Sequence, residues 1–199
     1  MDISWLGKNS YRISDELVDV IVNPDNNDID TSSFTENTVL ISTDNDKDFP
    51  TSLTLVDSPG EYEVNNLSIF GVANGIVNDQ SKRISTCYKL ESRGLSVAVI
   101  GMIGSSFDSE ALSVLTSSSI VIFSPDNTNI DSEILANTIR SLDTKKILMS
   151  GYDKNTATSS KGLAGIIKVL GIKDFEPKNK VSVTLGNLGD VQEIIILEN

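Results

Sequence analysis

The most constraining feature of the sequence is a change of hydrophobic pattern halfway along the chain. The first half consists of short apolar segments that alternate with turn residues, which is typical of β-strands joined by short turns. Turn residues at 7–9 and 14–16 separate the first three apolar segments. This spacing predicts an antiparallel meander of three strands. The strands predicted in this half are 3–6, 10–13, 17–22, 38–42, 52–56, 61–64, 67–73, 85–91 and 95–101.

The second half alternates strands with helices. Helices are predicted at 108–115, 130–142 and 159–170, and strands at 120–123, 146–149, 180–185 and 191–197. The middle helix should begin near Asn129 or Asp131, and its inward face is predicted to hold Ile134, Leu135, Thr138 and Ile139. This order predicts a mixed α/β (α+β) fold, a four-layer αββα sandwich with helices outside two sheets. We expect residues 1–199 to form one domain.

Charge and composition exclude several classes of protein. The formal net charge of −12 would repel nucleic-acid phosphates and anionic lipid surfaces, so neither nucleic acid nor membrane is an expected partner. No segment approaches the roughly 18 apolar residues of a membrane span, and the N-terminus lacks the regions of a signal peptide. The single cysteine, Cys87, cannot form an internal disulfide, which favours a cytoplasmic location.

The sequence contains no histidine. Histidine is the commonest metal ligand and the usual base at neutral pH. Zinc sites are built from cysteine, histidine and carboxylate, so one cysteine and no histidine leave oxygen ligands for any metal. A Ser-His-Asp or Cys-His nucleophilic system is excluded, and no catalytic residue is predicted.

Four segments of the sequence resemble a known family. They are ISWLGKNSYRI, DSPGEYEVNNLSIFGV, GLSVAVIGMIG and EPKNKVSVTLGNL. Together they are similar to the short zinc-dependent hydrolases of the metallo-β-lactamase superfamily, and the similarity extends from Ile3 to Leu197. The resemblance implies the αββα sandwich and, in the family, metal-dependent hydrolysis by zinc-bound water.

The residues that match the family's ligand positions depart from its pattern. In the His-x-His-x-Asp-His signature, Thr43 and Asn45 stand at the first two histidines, Lys47 at the aspartate and Asp48 at the last histidine. Lys47 is the strongest departure, because an ammonium group repels a cation.

The remaining matched positions depart as well. Lys8 replaces a histidine near the N-terminus, Asn23 an aspartate, Met102 the bridging aspartate and Gly151 a late histidine. The sequence therefore predicts a degenerate site at Lys8, Asn23, Thr43, Asn45, Lys47, Asp48, Met102 and Gly151, with no zinc or other cofactor.

Two hypotheses for the acidic loop stay open. Asp44, Asp46 and Asp48 alternate like the first oxygen ligands of a calcium loop, although the glycine and distal glutamate of an EF-hand are absent. In the second hypothesis, Lys8 and Lys47 place ammonium groups in the former metal cavity and pair with Asp44 or Asp48.

The leading functional hypothesis is a pseudoenzyme that has lost the metal site and serves as a binding or scaffold protein. The alternative is a metal-dependent hydrolase of small esters, lactones or phosphoesters that uses oxygen ligands. A third hypothesis is a subunit interface on the sandwich edge. The sequence names no partner: a protein, a small molecule or a second copy of the chain are all compatible with it.

Overall fold

The computed structural model describes residues 1–24, 34–44, 53–78 and 83–199. Its strands are β1 Asp2–Gly7, β2 Ser10–Ser14, β3 Asp19–Val22, β4 Thr38–Ile41, β5 Thr54–Val56, β6 Gly60–Val64, β7 Leu67–Asn78, β8 Arg83–Ser92, β9 Leu95–Val99, β10 Ile120–Phe123, β11 Lys146–Asp153, β12 Thr158–Ser159, β13 Lys180–Ser182 and β14 Glu193–Glu198. Its α-helices are α1 Ser109–Leu115, α2 Ser132–Arg140 and α3 Lys161–Leu170, and a 3-10 helix spans Leu185–Asn187.

The strands form two sheets. The first has six strands in the order β13-β1-β2-β3-β4-β5. Its members from β13 to β3 are antiparallel, and β3, β4 and β5 are parallel. The second has eight strands in the order β12-β11-β10-β9-β8-β7-β6, with β14 also paired to β11. Here β9, β10, β11 and β14 are parallel.

Two apolar layers hold the sheets and helices together. The first layer lies between the sheets, where Val20 and Val39 of the first sheet meet Leu90 and Ile122 of the second. The second layer lies on the other face of the eight-stranded sheet, against buried residues of all three helices. The predicted mixed α/β class with two packed sheets is confirmed, and the described helices cover the eight-stranded sheet.

Aspartates cap the starts of helices α1 and α2. Asp108 accepts a hydrogen bond from the Ala111 amide at 2.8 Å, and Asp131 accepts one from the Glu133 amide at 2.8 Å. The prediction for Ile134 is wrong, because its side chain is 45% exposed while Ala136 is buried. Helix α2 starts at Ser132, later than predicted, and its buried face is centred on Leu135, Ala136 and Ile139. No helix within the described residues is long and apolar enough to cross a membrane.

The topology brings several strand ends to one end of the sandwich. The parallel strands β3 and β4 end at Val22 and Ile41, and β9 and β10 of the other sheet end at Val99 and Phe123. The sheets are joined there by the Thr86 amide, which donates to the Thr43 carbonyl at 2.8 Å. Among the described residues, the matched positions Asn23, Thr43 and Met102 follow these strand ends.

An ion pair beside β14 yields a prediction about stability. The Lys146 side chain is 8% exposed, and its ammonium donates to Glu193 Oε2 at 2.5 Å. Glu193 is 47% exposed, so solvent screening limits the contribution of the pair. We expect Glu193→Gln to lower the free energy of unfolding by about 1 kcal/mol at neutral pH. Lys146→Met should cost less, because it leaves no buried ammonium group.

The pH dependence of the Glu193→Gln effect follows from the same contact. The hydrogen bond from Lys146 lowers the pKa of Glu193 below its ordinary value of 4.5. A depressed carboxyl pKa stabilises the fold above the unfolded-state value, and this contribution is lost as pH falls through the folded-state value. Urea unfolding should therefore show the difference between wild type and variant shrinking well below pH 4.5. A difference that does not change with pH would contradict this assignment.

Candidate functional site

Asn23 lies at the centre of the matched positions. It follows β3, is 4% exposed and has a φ of 47°, a left-handed conformation that asparagine tolerates. Its Oδ1 accepts hydrogen bonds from the Thr43 amide at 2.8 Å and from Thr43 Oγ1 at 3.1 Å. Its Nδ2 donates to the Asn9 carbonyl at 3.1 Å. The amide therefore uses both of its ends within the protein.

Thr43, which stands at the family's first histidine, is fully buried. The backbone carbonyl of Thr43 accepts a hydrogen bond from the Thr86 amide of the opposite sheet at 2.8 Å. Asn23 and Thr43 thus contact each other directly. Their hydrogen bonds are directed at each other and at the backbone.

Gly101 closes this region from the eight-stranded sheet. A Cβ atom at this position would lie 2.5 Å from Ser85 Oγ, 2.6 Å from the Thr86 carbonyl oxygen and 3.2 Å from the Thr43 Cβ. Such distances leave no room for a side chain. Ser85 is fully buried, and its hydroxyl has no hydrogen-bond partner among the described residues. The strand ends therefore pack against one another where the family has its metal cavity.

Met102 and Asp44 lie at the margins of this packed region. The Met102 carbonyl accepts from Asn74 Nδ2 at 3.2 Å, and the Met102 sulfur accepts from Asn129 Nδ2 at 3.7 Å. Asp44 forms an isolated antiparallel bridge with Ser85. The matched positions Asn45, Lys47 and Asp48 and the candidate oxygen ligand Asp46 lie outside the described residues.

Gly151 and Lys8 lie together at the outer side of the site. Gly151 has a φ of 122°, and a Cβ there would meet Ser160 Oγ at 2.6 Å and Asp126 Oδ2 at 3.4 Å. Lys8, with an exposed side chain, lines the same cavity of about 260 Å³. Pairing of Lys8 with Asp44 or Asp48 stays a prediction.

Hydrogen bonds fix Ser160 and Asp126, which line this cavity, and a second contact joins Tyr11 and Ser150. Ser160 begins helix α3 and donates from its hydroxyl to Asp126 Oδ2, and the Gly162 amide donates to Asp126 Oδ1 at 2.9 Å. The buried hydroxyls of Tyr11 and Ser150 are 2.7 Å apart. Burial raises the pKa of Tyr11, so its hydroxyl stays protonated and available as a donor.

Some contributors to the site were missed by reasoning from sequence. Asp126, Ser160 and Ser124 follow strands or begin a helix, which was a usable signal, although nothing indicated that they share a cavity with Lys8. Ser85 carried no signal, because its burial depends on Gly101 and Thr43 from distant parts of the chain.

Another cavity of the described structure lies at the opposite end of β1. It has a volume of about 650 Å³ and includes Met1, Asp2, Ser14 and Ser92 in its lining. Asp2 pairs with Ser14 at the opposite end of β1 from Lys8, so this cavity shares no part of the matched site.

The residues at the described matched positions do not fit zinc. They offer an ammonium group at Lys8, an amide at Asn23, a hydroxyl at Thr43, a thioether at Met102 and no side chain at Gly151. Zinc in proteins is bound by cysteine, histidine and carboxylate groups. Over the described ranges, no three His, Cys, Asp or Glu residues are grouped as metal ligands.

Comparison with known proteins identifies related folds. A family model described as a beta-lactamase superfamily domain matches residues 2–149. No curated protein matches the sequence. A candidate zinc-dependent hydrolase of the metallo-beta-lactamase superfamily from Thermotoga maritima is 15% identical, with a TM-score of 0.75 over 99% of this chain and 98% of that chain.

Two further solved structures are similar. A candidate metal-dependent hydrolase from Parabacteroides distasonis is 14% identical, with a TM-score of 0.61 over 85% of this chain and 88% of that chain. A metallo hydrolase from Ignicoccus hospitalis is 12% identical, with a TM-score of 0.56 over 74% of this chain and 81% of that chain. At these identities the likeness shows the fold, and the predicted fold class is confirmed.

The close approach at Gly101 can be tested by adding one methyl group. We expect Gly101→Ala to lower the free energy of unfolding by about 2 kcal/mol, because the Thr86 backbone cannot move aside cheaply. Gly104→Ala is the matched control, since no atom lies within 4 Å of its Cβ position. Chemical denaturation of both variants measures the difference. Equal stabilities would show that the strand ends are not packed as described.

Proposed function

The chain belongs to the beta-lactamase superfamily, and we propose that it is a non-catalytic member that serves as a binding or scaffold protein. It keeps the two packed sheets of the fold, while residues that make hydrogen bonds to each other stand at the ligand positions. The observation that carries this proposal is the contact between Asn23 and Thr43, closed over by Gly101.

The chemistry of the ligand groups supports the loss of the metal. A hydrolase of this kind needs several ligands and an open coordination position at once. Asn23 Oδ1 already accepts two hydrogen bonds from Thr43, so coordination of a cation would have to displace them. The backbone of Gly101 packs directly against Thr43, since a Cβ there would lie 3.2 Å from the Thr43 Cβ.

The single cysteine cannot replace the missing ligands. Cys87 is fully buried in the layer between the eight-stranded sheet and the helices. Burial raises the pKa of its thiol to about 12, so the thiol stays protonated at neutral pH. A thiolate ligand or nucleophile is therefore not available from this residue.

The partner class follows from charge. With a net charge of −12, the chain is suited to a protein or small-molecule partner rather than to nucleic acid or a lipid surface. Self-association into a homo-oligomer is a further form that a scaffold role can take.

A second candidate function is metal-dependent hydrolysis of small esters, lactones or phosphoesters through oxygen ligands. The names of the structural neighbours favour it, since they are hydrolases described as metal-dependent or zinc-dependent. Its ligands would have to come from Asp44, Asp46 and Asp48, because the described remainder of the site supplies no grouped carboxylates.

The two functions differ in metal content and turnover. We expect protein purified without added metal to carry no stoichiometric zinc after dialysis. We also expect no hydrolysis of generic phosphodiester and lactone substrates with added zinc or manganese. The variant Thr43→His with Asn45→His should stay inactive, because two ligands are fewer than the usual three of catalytic zinc and Lys47 remains in the loop.

A control separates true turnover from contamination. The triple variant Asp44→Ala, Asp46→Ala and Asp48→Ala removes the candidate oxygen ligands. Metal-dependent, chelator-sensitive turnover by the wild type that this variant lacks would establish the hydrolase and refute the pseudoenzyme. Metal-dependent turnover that persists in the triple variant and co-elutes with the protein would also refute the pseudoenzyme, and its ligands would lie elsewhere in the chain.

A further inference from the structure

We propose that the free edge of strand β6 binds an extended segment of a partner protein in which basic and apolar residues alternate. The segment pairs with β6 as a further strand of the eight-stranded sheet. This inference rests on the proposed function, because it assigns a surface and a partner chemistry to a binding protein.

Strand β6 is the last strand of the eight-stranded sheet. It spans Gly60–Val64 and pairs with β7 on one side. No strand within the described ranges pairs with its other side. A strand in this position presents unpaired N–H and C=O groups, which are a template for pairing with another chain.

The turn after β6 determines which backbone groups point outward. Asn65 and Asn66 have φ values of 51° and 64°, as in the two-residue type I′ turn of a hairpin. The pair of residues that flanks such a turn is hydrogen-bonded, and hydrogen-bonded and non-hydrogen-bonded pairs alternate along an antiparallel ladder. Glu63 and Glu61 therefore belong to non-hydrogen-bonded pairs. Their N–H and C=O groups point away from β7, towards the free edge.

The exposed side chains of this edge are acidic. Glu61 and Glu63 are both exposed, and neither forms an ion pair or a side-chain hydrogen bond with any described residue. The segment 53–64 contains no lysine or arginine. On the same face of the sheet, the ammonium group of Lys89 already pairs with Glu91 at 2.8 Å. A cation opposite these two glutamates therefore has to come from a partner.

The other face of β6 is apolar. Tyr62 and Val64 are partly buried and pack against the layer between the two sheets. The Tyr62 hydroxyl donates to the Ser58 carbonyl at 2.9 Å, which fixes the ring. Successive residues of a strand point to opposite faces, so a strand paired with β6 places alternate side chains beside the glutamates and beside Tyr62. Opposite-charge pairs and aromatic pairs with β-branched residues both stabilise a sheet, so alternating basic and apolar residues match this edge.

A second copy of this chain does not match the edge. Antiparallel pairing of two β6 strands about Tyr62 places Glu61 of each copy opposite Glu63 of the other. Like charges directly opposite each other are destabilising, and the net charge of −12 on each copy adds repulsion. The glutamates that oppose self-pairing thus favour a basic partner.

Titration with a synthetic peptide that alternates lysine and valine tests this inference. The full-length protein is titrated in the presence of EDTA and followed by NMR and amide hydrogen exchange. In the free protein the outward amides of Glu61 and Glu63 should exchange fast, and saturating peptide should slow them. The Tyr62 amide, which points towards β7, should be protected with and without peptide. Added salt should weaken binding.

Two control peptides separate charge from backbone pairing. A peptide that alternates glutamate and valine should not bind, because it places like charges opposite the edge. A lysine-valine peptide with N-methylated peptide bonds keeps the charge and loses its N–H donors. We expect it to bind about 10-fold more weakly than the unmethylated peptide, the effect of one or two lost hydrogen bonds.

Charge-reversal variants place the binding at β6. Glu61→Lys combined with Glu63→Lys should weaken binding of the lysine-valine peptide by about 10-fold, because two attractions become repulsions. Asp174→Lys combined with Glu176→Lys is the matched control and should leave the affinity unchanged. It makes the same change of net charge at two exposed acids of the same spacing that lie after α3.

A proline variant tests the backbone contact. Glu63→Pro removes one outward N–H without breaking the ladder with β7, and proline is tolerated on edge strands. Glu63→Gln removes the same charge and keeps the N–H. We expect the proline variant to bind the lysine-valine peptide more weakly than the glutamine variant. Thermal unfolding checks that each variant is folded, and the charge-reversal pair tests the inference independently.

Three results would overturn the inference. The first is absence of saturable binding by the lysine-valine peptide, and the second is equal affinity for the wild type and the Glu61 and Glu63 charge-reversal variant. The third is protection of both outward amides in the free protein that is lost on dilution, which would show a second copy at the edge. Each leaves the pseudoenzyme proposal standing, whereas metal-dependent turnover would refute that proposal without changing peptide binding.

Discussion

The hydrogen bonds between the Asn23 side chain and Thr43 hold together the strand ends around which the site is arranged. Asn23 Oδ1 accepts both the amide and the hydroxyl of Thr43, and both residues are almost completely buried. A hydrogen bond of this kind contributes about 1 kcal/mol net, but a buried amide left without its acceptor costs about 1 to 3 kcal/mol. In a metallo-hydrolase, coordinate bonds to the metal connect the corresponding positions. Here an amide and a hydroxyl connect them.

This packing moves the open space of the site outward. Gly101 brings the chain after β9 against Ser85 and Thr43, with no room between them for a side chain at position 101. Gly151 has the opposite consequence, because its missing side chain leaves room between Lys8 and the start of α3. The conformation and surroundings of Gly151 also explain why a histidine at position 151 would be difficult to accommodate. A φ of 122° and a contact at 2.6 Å both oppose any side chain there.

Much of the fold was predictable from local patterns. The apolar segment 120–123 and the caps at Asp108 and Asp131 are properties of a few neighbouring residues, and the structure confirms them. The exposure of Ile134 was not predictable in this way, because it depends on where α2 begins and on how it packs.

For the site, too, some features are predictable from the sequence and others depend on packing. The absence of histidine and the substitutions at Thr43 and Asn23 are visible in the sequence. Their mutual hydrogen bonds and the close approach of Gly101 are not, because they join residues that are 15 or more positions apart.

Amide hydrogen exchange at Thr43 tests the central claim most directly. The measurement follows the Thr43 amide proton in chelator-treated protein, and again after addition of zinc. If the hydrogen bond from the Thr43 amide to Asn23 orders the site without a metal, the amide should exchange slowly, because exchange would require opening of the surrounding structure. Addition of zinc should not change the rate. Fast exchange in the chelated protein that becomes slow when zinc is added would show that a metal orders the site, and would contradict the account.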